Sequence, residues 1–188
     1  MRVKESTSTP PTQRVQPVRI TTKGEIKLEI ERRFLVKYLP KNLDQYPNER
    51  IRQGYLSTKE GTSIRIRKVG EKYYQTIKKG TGKIREEGEV EIPLTMYSIL
   101  WKETKGRRLK KVRHEIPYED KIIQLDVYEG KLEGLITVEV EFKSEEECDK
   151  FIPPKWFGAE VTDMKEFANR YLATNGISHA LLKKLTSS

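Results

Sequence analysis

The sequence predicts a mainly β fold: an eight-stranded antiparallel barrel, closed on itself, with helices packed outside. Three observations carry that expectation. Strand-like runs recur about eight times between residues 26 and 143, mostly separated by Gly, Pro, Asp or Lys turns. Several of these runs alternate charged and apolar residues, which gives each a dry side and a charged side. Eight antiparallel strands is also the number that can close around side chains and a small ligand.

The first strand, residues 26–36, contains Glu29-Ile30-Glu31-Arg32-Arg33-Phe34. Its period of two puts Glu29, Glu31 and Arg33 on one face and Leu28, Ile30 and Phe34 largely on the other. Runs at 50–56, 62–69, 72–79 and 85–92 follow. Between the last two, Lys78-Lys79-Gly80-Thr81-Gly82-Lys83 has a superficial likeness to a phosphate loop. It lacks the first glycine and the terminal Ser or Thr, so it reads as a hairpin turn. A short helix is expected over 95–101, then strands at 107–116, 121–128 and 136–143. Ser144-Glu145-Glu146-Glu147 is a capping box, opening a helix that must stop before Pro153-Pro154. A last helix is expected from Thr162 or Asp163, with Met164, Phe167, Ala168, Tyr171 and Leu172 on one stripe, ending near Asn175-Gly176.

With 188 residues the chain can build one domain with a sizeable core, whereas two would be cramped. Residues 1–24 carry five bases (Arg2, Lys4, Arg14, Arg19, Lys23) against one acid (Glu5), and they hold few large apolar groups. Such a segment buries too little to offset ordering entropy, so 1–24 is expected to be a disordered basic tail. Residues 25–176 form the expected domain and 177–188 a short C-terminal extension. The tail supplies +4 of the net +9, leaving +5 for the rest, a balance that suits a polyanionic partner. An organelle leader is disfavoured by three prolines and the lack of an amphipathic helix. The single Cys148 excludes an internal disulfide framework and suits a reducing compartment. No apolar run is long enough to span a bilayer, so a cytoplasmic protein without membrane contact is expected.

Any one of the charged strand faces is most simply the wet side of a half-buried sheet. Together they argue for more, because they are sorted by sign. Glu29/Glu31, Glu87/Glu89/Glu91 and Glu139/Glu141 are acidic sets, while Arg65/Arg67 and Lys111/Arg113 are basic ones. Like charges side by side in a sheet repel, and a plain surface mixes signs. Mg²⁺ or Mn²⁺ would compensate the acids, and a chain of phosphates the bases. Only His114 and His179 are present, which argues against a histidine zinc site or a Ser/His/Asp hydrolase.

Glu29-Ile30-Glu31-Arg32-Arg33 resembles the Glu-x-Glu-x-Lys signature of the CYTH family, the triphosphate tunnel metalloenzymes, except that Arg33 replaces the lysine. Further stretches resemble the prokaryotic-type inorganic triphosphatases: Ile51-Arg52-Gln53-Gly54-Tyr55-Leu56, Ile64-Arg65-Ile66-Arg67, Gly106-Arg107-Arg108, Leu125-Asp126-Val127, Val138-Glu139-Val140-Glu141-Phe142 and Phe151-Ile152-Pro153-Pro154. The resemblance covers roughly 25–175 and implies an eight-stranded tunnel that binds a triphosphate with Mg²⁺ or Mn²⁺. By matching position it implies Glu29, Glu31, Asp126, Glu139 and Glu141 as metal-side carboxylates, with Glu87 and Glu89 as further tunnel acids. It implies Arg33, Arg65, Arg67, Lys78, Arg85, Lys111, Arg113 and Lys165 as phosphate-binding bases. Catalysis would fall to Glu29, Glu31 and Lys111.

The implied activity is metal-dependent hydrolysis of the terminal phosphoanhydride of a triphosphate, with inorganic triphosphate as the first choice. Nucleoside or thiamine triphosphate hydrolysis and class IV-type adenylate cyclisation are the enzymatic alternatives. A polyphosphate- or RNA-binding module is the non-enzymatic one. The basic tail favours the module and the many carboxylates oppose it, so nucleic acid contact is expected only through the tail. A homodimer is compatible with the sequence.

Overall fold

The computed structural model describes residues 26–59 and 61–186; the expected tail at 1–24 lies outside the described residues. The elements run β1 (Ile26–Val36), β2 (Asn48–Ser57), β3 (Thr62–Val69), β4 (Lys72–Lys79), β5 (Ile84–Glu91) and α1 (Leu94–Lys102). They continue with β6 (Arg108–Tyr118), β7 (Lys121–Glu129), β8 (Ile136–Phe142), α2 (Glu145–Lys150), β9 (Phe157–Glu160), α3 (Asn169–Asn175) and α4 (His179–Thr186). The sheet order is β5-β4-β3-β2-β6-β7-β8-β1, and β5 pairs back onto β1. This closes an eight-stranded antiparallel barrel and leaves no free edge among those strands. The 78–83 segment is the hairpin turn between β4 and β5.

The charged face of β1 points inward. Glu29, Glu31 and Arg33 are buried among the barrel's interior groups, while Ile30 and Phe34 point outward into an apolar layer with Ile123, Leu125, Val138 and Val140. Phe157 of β9 and Cys148 of α2 cover that layer from outside. Ser144 caps α2 by accepting from the Glu147 amide at 3.2 Å. The Glu147 carboxylate reaches back to the Lys143 amide at 2.8 Å.

A second apolar cluster fills one end of the barrel. Leu35, Tyr55, Leu109 and Tyr128 from strand positions meet Leu132, Leu135, Phe167 and Leu172 from the segments crossing that end. The barrel is therefore stoppered by side chains at the end where β1 finishes.

The chain after residue 156 departs from expectation in three places. β9 pairs with β1 outside the barrel, a short strand with no alternation to reveal it. Gly158 permits the approach, because a Cβ there would stand 3.2 Å from the Leu35 carbonyl oxygen. The helix expected from Thr162 starts only at Asn169, preceded by a 3-10 turn over Lys165–Phe167. The Val161 amide donates to the Arg33 carbonyl at 2.8 Å, and Thr162 Oγ1 accepts from the Arg33 amide at 3.0 Å, so β1 holds the chain extended there. His179–Thr186 form α4, whose Leu181, Leu182 and Leu185 pack on the end cluster.

Candidate active site

The barrel interior is a cavity of about 710 Å³ lined by residues from β1 to β8 and by Ala168, Asn169 and Arg170. That lies within the range of small-molecule sites, about 300–1,000 Å³. Among the described residues eight glutamates and nine Lys/Arg side chains line it. The interior is thus densely charged yet almost balanced. A bare polyanion would have to compete with carboxylates already seated on the bases.

Inward positions set by period two build this lining. On β1 they give Lys27, Glu29, Glu31 and Arg33; on β3, Arg65 and Arg67; on β5, Arg85, Glu87 and Glu89; on β8, Glu139 and Glu141. Glu29 receives Lys78 Nζ at 2.6 Å and Arg85 Nη2 at 2.9 Å. Burial pushes its carboxyl up, but Lys78 and Arg85 outweigh burial and hold it below the usual carboxylate range. Glu87 lies 3.4 Å from Arg65, 3.3 Å from Lys78 and 3.6 Å from Lys27. Glu89 accepts from Arg67 at 2.8 Å and from Thr76 Oγ1 at 2.5 Å. Glu139 takes Arg33 Nε at 2.8 Å and Arg113 Nη2 at 2.7 Å. Against its burial, these two guanidinium groups hold its carboxyl well below the ordinary value.

Glu141 differs from these. It has no ion-pair or hydrogen-bond partner among the described residues, and burial together with Glu29 raises its proton affinity. Its side chain is exposed on the cavity wall. Lys27 and Lys78 act on it only from beyond ion-pair distance, and a carboxylate held near other acids in this way is electrostatically suited to a cation. No three acidic, His or Cys side chains among the described residues form a ready metal cage. Mg²⁺-type ions do not need one, since they commonly use one or two carboxylates plus water and substrate phosphate. Glu29, Glu31 and Glu141 supply hard oxygens of that kind.

The basic side keeps spare donors. The Nε atoms of Arg65, Arg67 and Arg85 are buried and without any acceptor. A buried donor lacking a partner costs free energy.

The remaining expected site residues fall in different places. Lys111 is buried on the cavity wall, paired with Asp126. Burial and Arg113 lower its ammonium, against the pull of Asp126, to about 8. Asp126 is 0% exposed and does not reach the cavity; Lys111 and Arg113 both close over it. Lys165 sits exposed on the 3-10 turn, away from the cavity lining. The structure brings Arg170 to the lining instead, together with Lys27. Lys27 was legible as an inward position, two residues before Glu29 on the same strand face. Arg170 was not, because the helix carrying it starts later than its periodicity suggests.

Arg33 spends its guanidinium three ways: Nε on Glu139, Nη2 on Glu31 at 3.0 Å, and Nη1 on the Phe167 carbonyl at 3.1 Å. The last contact ties the C-terminal arm to β1. A lysine carries one compact ammonium and could not span all three acceptors. Arg33→Lys is therefore expected to lower the unfolding midpoint, and Arg33→Ala to lower it further. Urea titration of both variants checks this, and midpoints equal to the parent's would refute the tie.

The CYTH domain model matches residues 27–152, about two thirds of the chain. The chain belongs to the CYTH family. This CYTH protein is 43% identical over 148 residues to an inorganic triphosphatase of Nitrosomonas europaea, a match covering 77% of this chain and 96% of the relative. It is 32% identical over 154 residues to an inorganic triphosphatase of Acetivibrio thermocellus, covering 78% and 94%. A crystal structure of an inorganic triphosphatase superposes with a TM-score of 0.60 at 39% identity, covering 80% of this chain and 97% of that one.

Proposed function

We propose that this CYTH protein is a Mg²⁺- or Mn²⁺-dependent hydrolase that removes the terminal phosphate of a triphosphate, with inorganic triphosphate as substrate. The carrying observation is an enclosed cavity lined by Arg65, Arg67, Arg85 and six further bases, whose charge eight glutamates nearly cancel. Such a site favours a phosphate chain that arrives with cations of its own. The relatives named as inorganic triphosphatases, matched over almost their whole length, support the same reading.

Glu29, Glu31 and Glu141 are the residues that would hold a divalent ion, which when bound neutralises phosphate oxygens and draws charge from the phosphorus. Arg65, Arg67 and Arg85, with Arg113 and Lys78, grip the phosphoryl oxygens through their cavity-lining side chains. Water attacks the terminal phosphorus, the bridging P–O bond breaks, and pyrophosphate leaves. Lys111 accepts the proton from that water. Its lowered value of about 8 leaves a working fraction of neutral amine near physiological pH. Asp126 holds Lys111 in place from behind. The buried Cys148, free of any disulfide, suits a cytoplasmic setting. No helix among the described residues is long and apolar enough to cross a membrane.

The test is phosphate release from triphosphate, pyrophosphate, ATP and thiamine triphosphate with Mg²⁺, Mn²⁺ or EDTA, alongside chromatography for cyclic AMP. Triphosphate with either metal is expected to give the highest turnover, and EDTA to abolish it. Cyclic AMP formation, or release that survives EDTA, would overturn the reading. In the same assay kcat/KM is expected to climb with pH to a plateau above about 8, as the Lys111 amine is freed. Lys111→Arg, which stays protonated, is expected to lose that limb. An unchanged limb in the variant would remove Lys111 from the proton transfer.

A further inference from the structure

Every basic side chain that lines the cavity has a carboxylate partner except one. Lys27, Arg33, Arg65, Arg67, Lys78, Arg85, Lys111 and Arg113 each lie within ion-pair distance of an acid. Arg170, on α3, has no acidic or hydrogen-bonding side-chain partner among the described residues, although it lines the same cavity. A paired base must give up or share its carboxylate before it can take an anion, and an unpaired guanidinium need not.

The position of Arg170 is fixed by its neighbours. Tyr128 donates its hydroxyl to Asn169 Oδ1 at 2.7 Å in a buried contact, and Leu172 and Ala173 are buried in the cluster that stoppers the barrel. Arg33 holds the turn before α3 through the Phe167 carbonyl. Ala168 also lines the cavity. Arg170 thus stands at the stoppered end of the cavity, on a helix pinned from behind.

We propose that Arg170 is the chain-length reader of this site: it binds the phosphoryl group at the inner end of a three-phosphate chain, a group that pyrophosphate seated on the strand-borne bases does not reach. This rests on the reading above that the cavity takes phosphate chains. Arg170 supplies a planar fork of donors suited to the paired oxygens of an end phosphoryl group. The strand bases grip two phosphoryl groups in either ligand, so affinity for triphosphate over pyrophosphate depends on the residue at the end.

The experiment is calorimetric binding of triphosphate and pyrophosphate, each supplied with Ca²⁺ as its accompanying hard cation, to the full chain for the parent, Arg170→Ala and Arg170→Lys, with melting temperatures beside it. Arg170→Ala is expected to weaken triphosphate about 10- to 100-fold, the loss of a charged hydrogen-bonding contact, and to leave pyrophosphate within about twofold. Arg170→Lys is expected to fall between parent and alanine variant for triphosphate. Equal weakening of both ligands, or no change in either, overturns the proposal. If the parent binds triphosphate with this ratio but releases no phosphate with any metal, the hydrolase reading fails and the length reader stands.

Discussion

Asp126→Asn is expected to destabilise the fold by about 3–5 kcal/mol, because it strips the carboxylate on which two cations rest in a dry interior. Asp126 is 0% exposed, Lys111 Nζ and Arg113 Nη2 both rest on it, and Arg113 Nε adds a contact at 2.7 Å. Arg113 keeps Glu139 at 2.7 Å, so it is not left wholly unpaired. Lys111 has no second acid within ion-pair distance among the described residues and takes most of the loss. For a chain of this size each kcal/mol moves the melting temperature by about 2–4 °C. A fall of roughly 6–20 °C by calorimetry is expected, with activity lost in parallel as the Lys111 amine drifts. A fall below about 2 °C would show that the carboxylate is not needed to neutralise its neighbours.

Arg65→Met is expected to cut kcat by about 10²- to 10³-fold while leaving stability nearly unchanged, the cost typical of losing one preorganised donor to a charge-bearing transition state. The two effects separate for a structural reason. Arg65 pairs with Glu87, but Glu87 retains Lys78 at 3.3 Å and Lys27 at 3.6 Å, so its removal orphans no buried acid. The unpartnered buried Nε of Arg65 leaves with it, which removes a cost, while the loss of the cavity-lining guanidinium removes a donor to the bound phosphate. Steady-state kinetics with triphosphate, read against a urea titration, check both halves. A collapse of stability, or a kcat within about fivefold of the parent, would contradict the role.

Much of the barrel was legible in advance because strand alternation is local. Glu29, Glu31 and Arg33 can share a face only if the chain is extended, and the repeated sorting of charge by sign said that these faces meet something other than bulk water. All eight barrel strands fall where the turn residues place them, within a residue or two. β9 and α4 were not legible. Four residues are too few to show a period, and α4 is defined by Leu181, Leu182 and Leu185 meeting a cluster assembled from distant segments.

The same division runs through the site. Sequence alone determined that the inward strand positions carry carboxylates and bases in sets, the pattern from which cations and phosphate were expected as ligands. Only the tertiary structure decided that Asp126 is sealed behind Lys111 and Arg113, that Lys165 points away, and that Arg170 enters the cavity. Side-chain direction within a strand follows from neighbouring backbone geometry. Which end of the barrel is stoppered, and which residue of a crossing segment looks inward, depends on β5 closing onto β1 and on contacts such as Arg33 to Phe167, which join residues far apart in the chain.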